Sequence, residues 1–284
     1  MTSVNLIGYA EHPELGESPY RVDRDGASYV PVGDGGIVLG LELGDSVFRL
    51  TADHAAPGAC LMHPDAAARH ALAAFACIGN RVVVRTGPAA GAVGSVIGKR
   101  GEAGRVIAGF RQADLALLRP SDEVLVRASG QGWRPDGLTP DVTVMNLDPA
   151  ILGVLPVRLA ADERSVTAGV RAVLPGRLAG NGIGRPAASW DLDLQLTASD
   201  LATGGAPADV LLGDLIAVTD IDARYNMGYR RSWLTVGVVV HGASPLPGHG
   251  PGITPILTGP SAALQPLPDA AGHTGLTVEA VQLQ

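Results

Sequence analysis

The chain has 284 residues, 46% of them hydrophobic and 17% charged, so it is long enough for a real core and too apolar to be disordered. A formal charge of −7 with no clustered Lys/Arg stripe argues against a nucleic-acid partner, because phosphate backbones are bound by concentrated positive charge. Glycine (38) and proline (21) are abundant without a collagen-like period, which predicts a turn-rich β protein.

The N-terminal stretch MTSVNLIGYAEHPELG lacks a basic and then apolar leader pattern. No run reaches the roughly 18 apolar residues of a membrane span. Two cysteines, Cys60 and Cys77, are too few for a disulfide framework, and both read as free thiols. A soluble, cytoplasmic protein with no membrane partner is expected.

Along residues 1–60 short apolar runs alternate with turns. In GGIVLGLELGDSVFRL, Gly44-Asp45 separates two apolar runs and predicts a turn between strands. Residues 64–78 predict a helix: Pro64 suits the first position, Asp65 the N-terminal dipole, and Leu72, Phe75 and Ala76 recur at helical spacing. Gly79 is expected to close it. Strands resume over 81–130. The stretch VVVRTGPAAGAVGSVIGKRGEAGRVIAGF, near 81–110, resembles the KOW-like pattern of small SH3-like barrels, two strands around a glycine-rich turn. In this acidic chain that pattern is read as structural, with Lys99, Arg100 and Arg105 as the contact residues if RNA did bind.

An irregular segment, 131–165, suggests a boundary between an N-terminal lobe (1–135) and a C-terminal lobe (136–284). The second lobe holds WDLDLQLTA, GDLIAVTDID and SWLTVGVVVHG, whose Val-rich run 236–240 implies a strand covered on both faces. The tail 259–284 is expected to be partly mobile. LELGDSVFRLTADH (41–54) and VLLGDLIAVTDID (210–222) echo each other weakly. The fold class expected is α+β, mainly β, as two barrel-like or sandwich-like lobes with few helices.

Chemistry can reside in three places. Asp53-His54 stands at a strand end before Pro57-Gly58, where His54 suits a general base or metal ligand. His241 ends the Val-rich strand, and His249 lies within PGHGPG, whose backbone is suited to presenting a side chain. Asp191/Asp193 and Asp220/Asp222 are i, i+2 pairs that project two carboxylates onto one strand face, a pattern suited to a hard cation or acid/base work. Solvent-facing acids on an edge strand give the same pattern, and that is the expectation for Asp191/Asp193. Beyond Asp222 come Arg224, Tyr225, Tyr229, Arg230 and Arg231, residues suited to holding a substrate carboxylate or to a protein contact. Glycine-rich GDGGIVLG and GNGIGRP match no phosphate-loop or dinucleotide pattern.

GDGGIVLGLELGDSVF, ADHAAPG, ACIGNRVVV, DVTVMNLDP and VGVVVHGAS with PGHGPGIT together resemble a prokaryotic family catalogued as domain of unknown function 4438. The resemblance covers nearly the whole chain and implies fold and boundaries, with no activity attached. A looser, architectural similarity is to acetamidase/formamidase-type β-rich hydrolases. Their Gly-Asp-Gly-His cluster falls near Gly213-Asp214, where this chain departs with Leu215-Ile216.

The function expected is a small-molecule enzyme, a hydrolase or lyase, with or without a divalent metal. His54 and His249 are expected as acid/base groups or metal ligands, sharing one site, with Asp53 and Asp222 as carboxylate partners. Arg230, Tyr225 and His241 are expected to bind substrate. The competing reading is a non-catalytic ligand-binding or scaffold protein. A small-molecule ligand and self-association into a homo-oligomer complete the expectations.

Overall fold

The computed structural model describes residues 3–15, 17–31, 35–50, 54–101, 104–160, 165–197, 209–268 and 275–282. The chain is mostly β, with four short helices among these residues. The first part supplies β1 (Val4–Ala10), β2 (Arg21–Val22), β3 (Ser28–Tyr29), β4 (Ile37–Val38), β5 (Gly58–Met62), β6 (Arg81–Val84), β7 (Val93–Arg100), β8 (Arg105–Gly109) and β9 (Glu123–Ala128). The second supplies β10 (Thr143–Val144), β11 (Val157–Leu159), β12 (Val166–Val170), β13 (Ala172–Leu174), β14 (Leu192–Asp193), β15 (Leu215–Asp222), β16 (Gly228–His241), β17 (Gly252–Pro260) and β18 (Leu264–Pro268). The helices are α1 (Ala66–Phe75), α2 (Gln112–Leu115), α3 (Pro149–Leu152) and α4 (Val278–Gln282). No helix among the described residues is long and apolar enough to cross a membrane.

Six strands close a barrel in the order β1-β9-β6-β7-β8-β5, sealed where β5 pairs back onto β1 at Tyr9↔Met62 and Ala10↔Leu61. The two-residue period explains its interior: along β9, Val124, Val126 and Ala128 are buried and the residues between them are not. The KOW-like segment is β6, β7 and β8, paired antiparallel as three of the six staves. Its cations Lys99, Arg100 and Arg105 are all buried, so they form no surface stripe.

α1 is shorter than the 64–78 expected. Asp65 is its N-cap, accepting the Ala68 N–H at 2.8 Å, and the backbone turns extended at Ala76. Cys77 therefore lies beyond the helix. Gly79 is not its terminator. It holds φ 93 where a Cβ would stand 2.1 Å from Ile151 Cγ1. Leu72 is buried against β1 and Phe75 is exposed.

The second sheet runs β10-β17-β16-β15-β13, with β14 on β17. The last nine residues of β16 are buried, as its valine run implies, and the first five are not. β7 lies against this sheet at Gly98, where a Cβ would meet Val240 Cγ1 at 2.3 Å. Ile97 and Ile107 from the barrel join Val236, Val238 and Val240 in one apolar cluster, so the two halves share a core. At the C-terminal end, β18 pairs with β12.

The two echoing segments adopt the same turn and then pair with each other. Asp45 Oδ2 accepts the Glu42 N–H at 2.8 Å, as Asp214 Oδ2 accepts the Leu211 N–H at 2.8 Å. Gly44 and Gly213 hold φ 94 and φ 95, the left-handed value that a type II turn needs at this position. Gly44 N–H then donates to Leu212 O, and Leu212 N–H donates back to Asp45 O, both at 2.8 Å. The strands expected on either side of Gly44-Asp45 are absent. Their place is taken by this cross-pairing, with one bridge at Ser46↔Leu211.

Candidate metal centre

The C-terminal end of β16 meets β17, β14 and two loops. His241 is in register with Gly252 of β17, and Gly252 with Asp193 of β14. Glycine is required between them, because a Cβ at 252 would stand 2.0 Å from His241 Nε2 and 2.5 Å from Asp191 Oδ2. The imidazole instead reaches over Gly252. Its Nε2 donates to Asp191 Oδ2 at 2.7 Å and lies 3.2 Å from Asp193 Oδ1, while Nδ1 donates to Gly242 O at 2.9 Å. Both partners of the ring accept only, so both nitrogens carry protons and His241 is an imidazolium. Burial alone would lower its pKa, but the carboxylates of Asp191 and Asp193 raise it to about 10.

Asp193 turns its other oxygen to His54 and His249. Val47 and Ala55 lie beside the end of β16: Ala243 N–H donates to Val47 O at 2.9 Å and Gly242 N–H to Ala55 O at 2.8 Å. His54 follows with φ 52, in the left-handed region, a strained conformation for a side-chain-bearing residue and one that clusters at functional positions. The His249 loop is held on the opposite side, where Asn181 N–H donates to Gly248 O and Leu194 N–H to Pro251 O. Gly250 is needed there, since a Cβ would overlap Leu194 O at 1.7 Å.

Three donor atoms converge as a result. His54 Nε2 is 2.9 Å from His249 Nδ1, across 195 positions of sequence. Asp193 Oδ2 is 3.0 Å from His249 Nδ1 and 3.4 Å from His54 Nε2. Ligand atoms about 2.1 Å from one ion, at angles of about 90–110°, stand about 3.0–3.4 Å apart, so the spacing matches a shared cation. Asp193 Oδ2 is buried and receives no well-aligned hydrogen bond despite these short distances. A lone pair aimed at a common point, rather than at an N–H, accounts for that. The residue set therefore fits a divalent ion: two imidazoles and one carboxylate. Burial would raise the Asp193 carboxyl, and the surrounding His241, His249 and His54 outweigh it, holding the group well below the ordinary range. His54, Asp191, Asp193 and His241 are buried, whereas the His249 side chain is 21% exposed and marks the open side.

Several expected site residues lie elsewhere. Asp222 is not the carboxylate of this centre: it accepts from Arg224 and Arg230, whose guanidiniums stack on Trp233 at 4.1 and 4.3 Å. Arg230 is eleven residues from His241 along β16, about 36 Å at strand rise, and Tyr225 lies against Arg224, the partner of Asp222. His241, expected to bind substrate, is buried and holds the carboxylates of Asp191 and Asp193. Asp53 lies outside the described residues. Asp191 and Asp193, expected as solvent-facing, are the buried acids of the centre.

Cys60 and Cys77 are buried and form no disulfide, and burial pushes the Cys77 thiol up to about 11, far from a nucleophile's range.

Family models describe the chain as domain of unknown function (DUF4438), the N-terminal part matching residues 20–153 and the C-terminal part 155–274. A solved structure titled "Crystal structure of TM1086" superimposes with a TM-score of 0.89 at 33% identity, covering 96% of this chain and 95% of that one. No curated protein matches the chain.

Proposed function

The chain belongs to the DUF4438 family, and we propose that it is a divalent-metal-dependent hydrolase or lyase acting on a small molecule, with His54 Nε2, His249 Nδ1 and Asp193 Oδ2 as the metal ligands. The convergence of these three atoms at coordination spacing carries the reading. Three protein ligands leave positions open, which is how catalytic centres differ from closed structural ones. An ion held there supplies Lewis acidity and hydroxide near neutral pH.

The protein's own groups supply the rest. His241 fixes Asp193 through its Oδ1 so that Oδ2 faces the two imidazoles, the supporting hydrogen bond that ligating carboxylates need. Asp191 shares that imidazolium and is itself tied to the Gly101 N–H at 2.7 Å. The substrate's approach is from the His249 side. A cavity of about 280 Å³ lined by Phe48, Leu196, Ala243 and Arg24 lies beside His54, whose N–H donates to Ala243 O.

Chelator-stripped protein reloaded with Zn²⁺ or Mn²⁺ tests the activity with p-nitrophenyl acetate as probe. Hydrolysis that disappears on stripping, returns on reloading and is absent in His249→Ala supports the proposal. Equal rates in stripped and reloaded protein overturn it.

A further inference from the structure

A second concentration of hydrogen-bond donors lies where α1 meets the segment preceding β14. Arg69, His70 and Ala73 of α1, Gly104, Ser189 and Trp190 line a cavity of about 200 Å³. Among these described residues none is a carboxylate, and each polar side chain can donate. Glu102, in the turn between β7 and β8, lies outside the described residues.

Among the described residues the buried Trp190 Nε1–H has no hydrogen-bond partner, a condition that native proteins rarely leave unmet. The indole cannot simply turn away. Arg185 stacks 4.7 Å over its ring, and Gly101 leaves only the room of a hydrogen, since a Cβ there would stand 2.0 Å from Nε1. Positive charge also backs the cavity. Lys99 Nζ donates to Ala74 O and Ala188 O, the neighbours in sequence of the lining residues Ala73 and Ser189.

We propose that this cavity is a binding site for a small oxyanion, a phosphate group or the carboxylate of a small metabolite, held by Arg69, His70, Ser189 and Trp190 Nε1. The donor set is of the kind that recognises oxyanions: a guanidinium, an imidazole, a hydroxyl and an indole N–H with no internal acceptor. The site is separate from the metal centre, because Trp190 faces α1 while the adjacent Asp191 faces His241. Its occupancy does not depend on the metal.

The indole ¹H–¹⁵N resonance of Trp190, identified by its loss in Trp190→Phe, reports the site directly. Sodium phosphate is added to the full-length protein at constant ionic strength, with sodium acetate in a parallel titration and chloride as the reference. The resonance should shift downfield and saturate. Saturation by phosphate alone assigns a phosphate group, and saturation by acetate assigns a carboxylate. Arg69→Gln should weaken binding about tenfold, the loss of one charge-assisted hydrogen bond, with metal content as in wild type. His70→Gln, on the exposed face of α1, should weaken it as well, through the loss of the imidazole donor. A resonance that does not saturate with either anion overturns the proposal, as does wild-type affinity in both variants.

Discussion

Asp193 is the residue on which the centre turns, because its two oxygens serve different partners. Oδ1 lies against the His241 imidazolium and Oδ2 faces His54 Nε2 and His249 Nδ1. Asp193→Asn keeps the shape but removes the negative charge and replaces one carboxylate oxygen with an NH2 group that cannot ligate. It should lower divalent-metal affinity at least tenfold while leaving the thermal transition close to wild type, measured by titration calorimetry beside a melting curve. His241→Gln should also weaken the metal, through Asp193 rather than by direct ligation, and leave some binding where Asp193→Ala leaves none. Both site histidines are legible in the sequence, because Pro-Gly geometry beside an imidazole marks a presented side chain. The carboxylates are only half legible. The i, i+2 spacing of Asp191 and Asp193 shows two acids on one face, but Asp220 and Asp222 show the same. Only the lateral register of β14 on β17 and β17 on β16 decides which pair meets a histidine.

Strand register also makes Gly252 a checkable element of the centre. Gly252→Ala should displace His241 from Asp191, destabilise the protein by roughly 2–4 kcal/mol, as overpacking of a tight core position does, and lower metal affinity with it. Urea denaturation and metal titration of the same variant read the two effects. In β7, Lys99 is a buried cation with three acceptors, Asn146 Oδ1 at 2.7 Å and the carbonyls of Ala74 and Ala188. Lys99→Met strands those acceptors and should cost about 3 kcal/mol. Burial lowers the Lys99 pKa to about 8, below its unfolded value. The folded state thus gives up the proton first, and its penalty for holding the charge is relieved as pH rises from about 8 toward the unfolded value of about 10.4. The stability gap between wild type and Lys99→Met should therefore widen over that interval in urea titrations. A gap that narrows contradicts the assignment. The matched turns at Gly44 and Gly213 are visible in sequence as a shared Gly-Asp pair. Their mutual pairing is not, since it depends on a contact between segments nearly 170 positions apart that no local pattern encodes.

Among the described residues a closed barrel and the open β10-β17-β16-β15-β13 sheet are joined through one apolar cluster, to which β12 and β18 of a three-stranded sheet also contribute, and the histidine-aspartate centre lies where His54 meets the C-terminal strand ends. The β-rich class follows from the glycine and proline punctuation and from valine-rich runs. Barrel closure does not, because it requires β5 to return to β1 across fifty residues. The placement of His54 in one half and His249 with Asp193 in the other means that the centre forms only when both halves are folded together. Unfolding of either half should then release the metal, and metal binding should stabilise the entire chain by mass action, raising the melting temperature with ion concentration. The most direct measurement is a titration of chelator-stripped protein with Co²⁺, followed by visible absorption. One equivalent should produce the d–d bands of a site with nitrogen and oxygen ligands, and His54→Ala, His249→Ala and Asp193→Ala should each abolish them while retaining the far-ultraviolet circular dichroism of the wild type. A wild-type protein that binds no Co²⁺, or folded variants that bind it as well as wild type does, would contradict the assignment of these three residues as one metal centre.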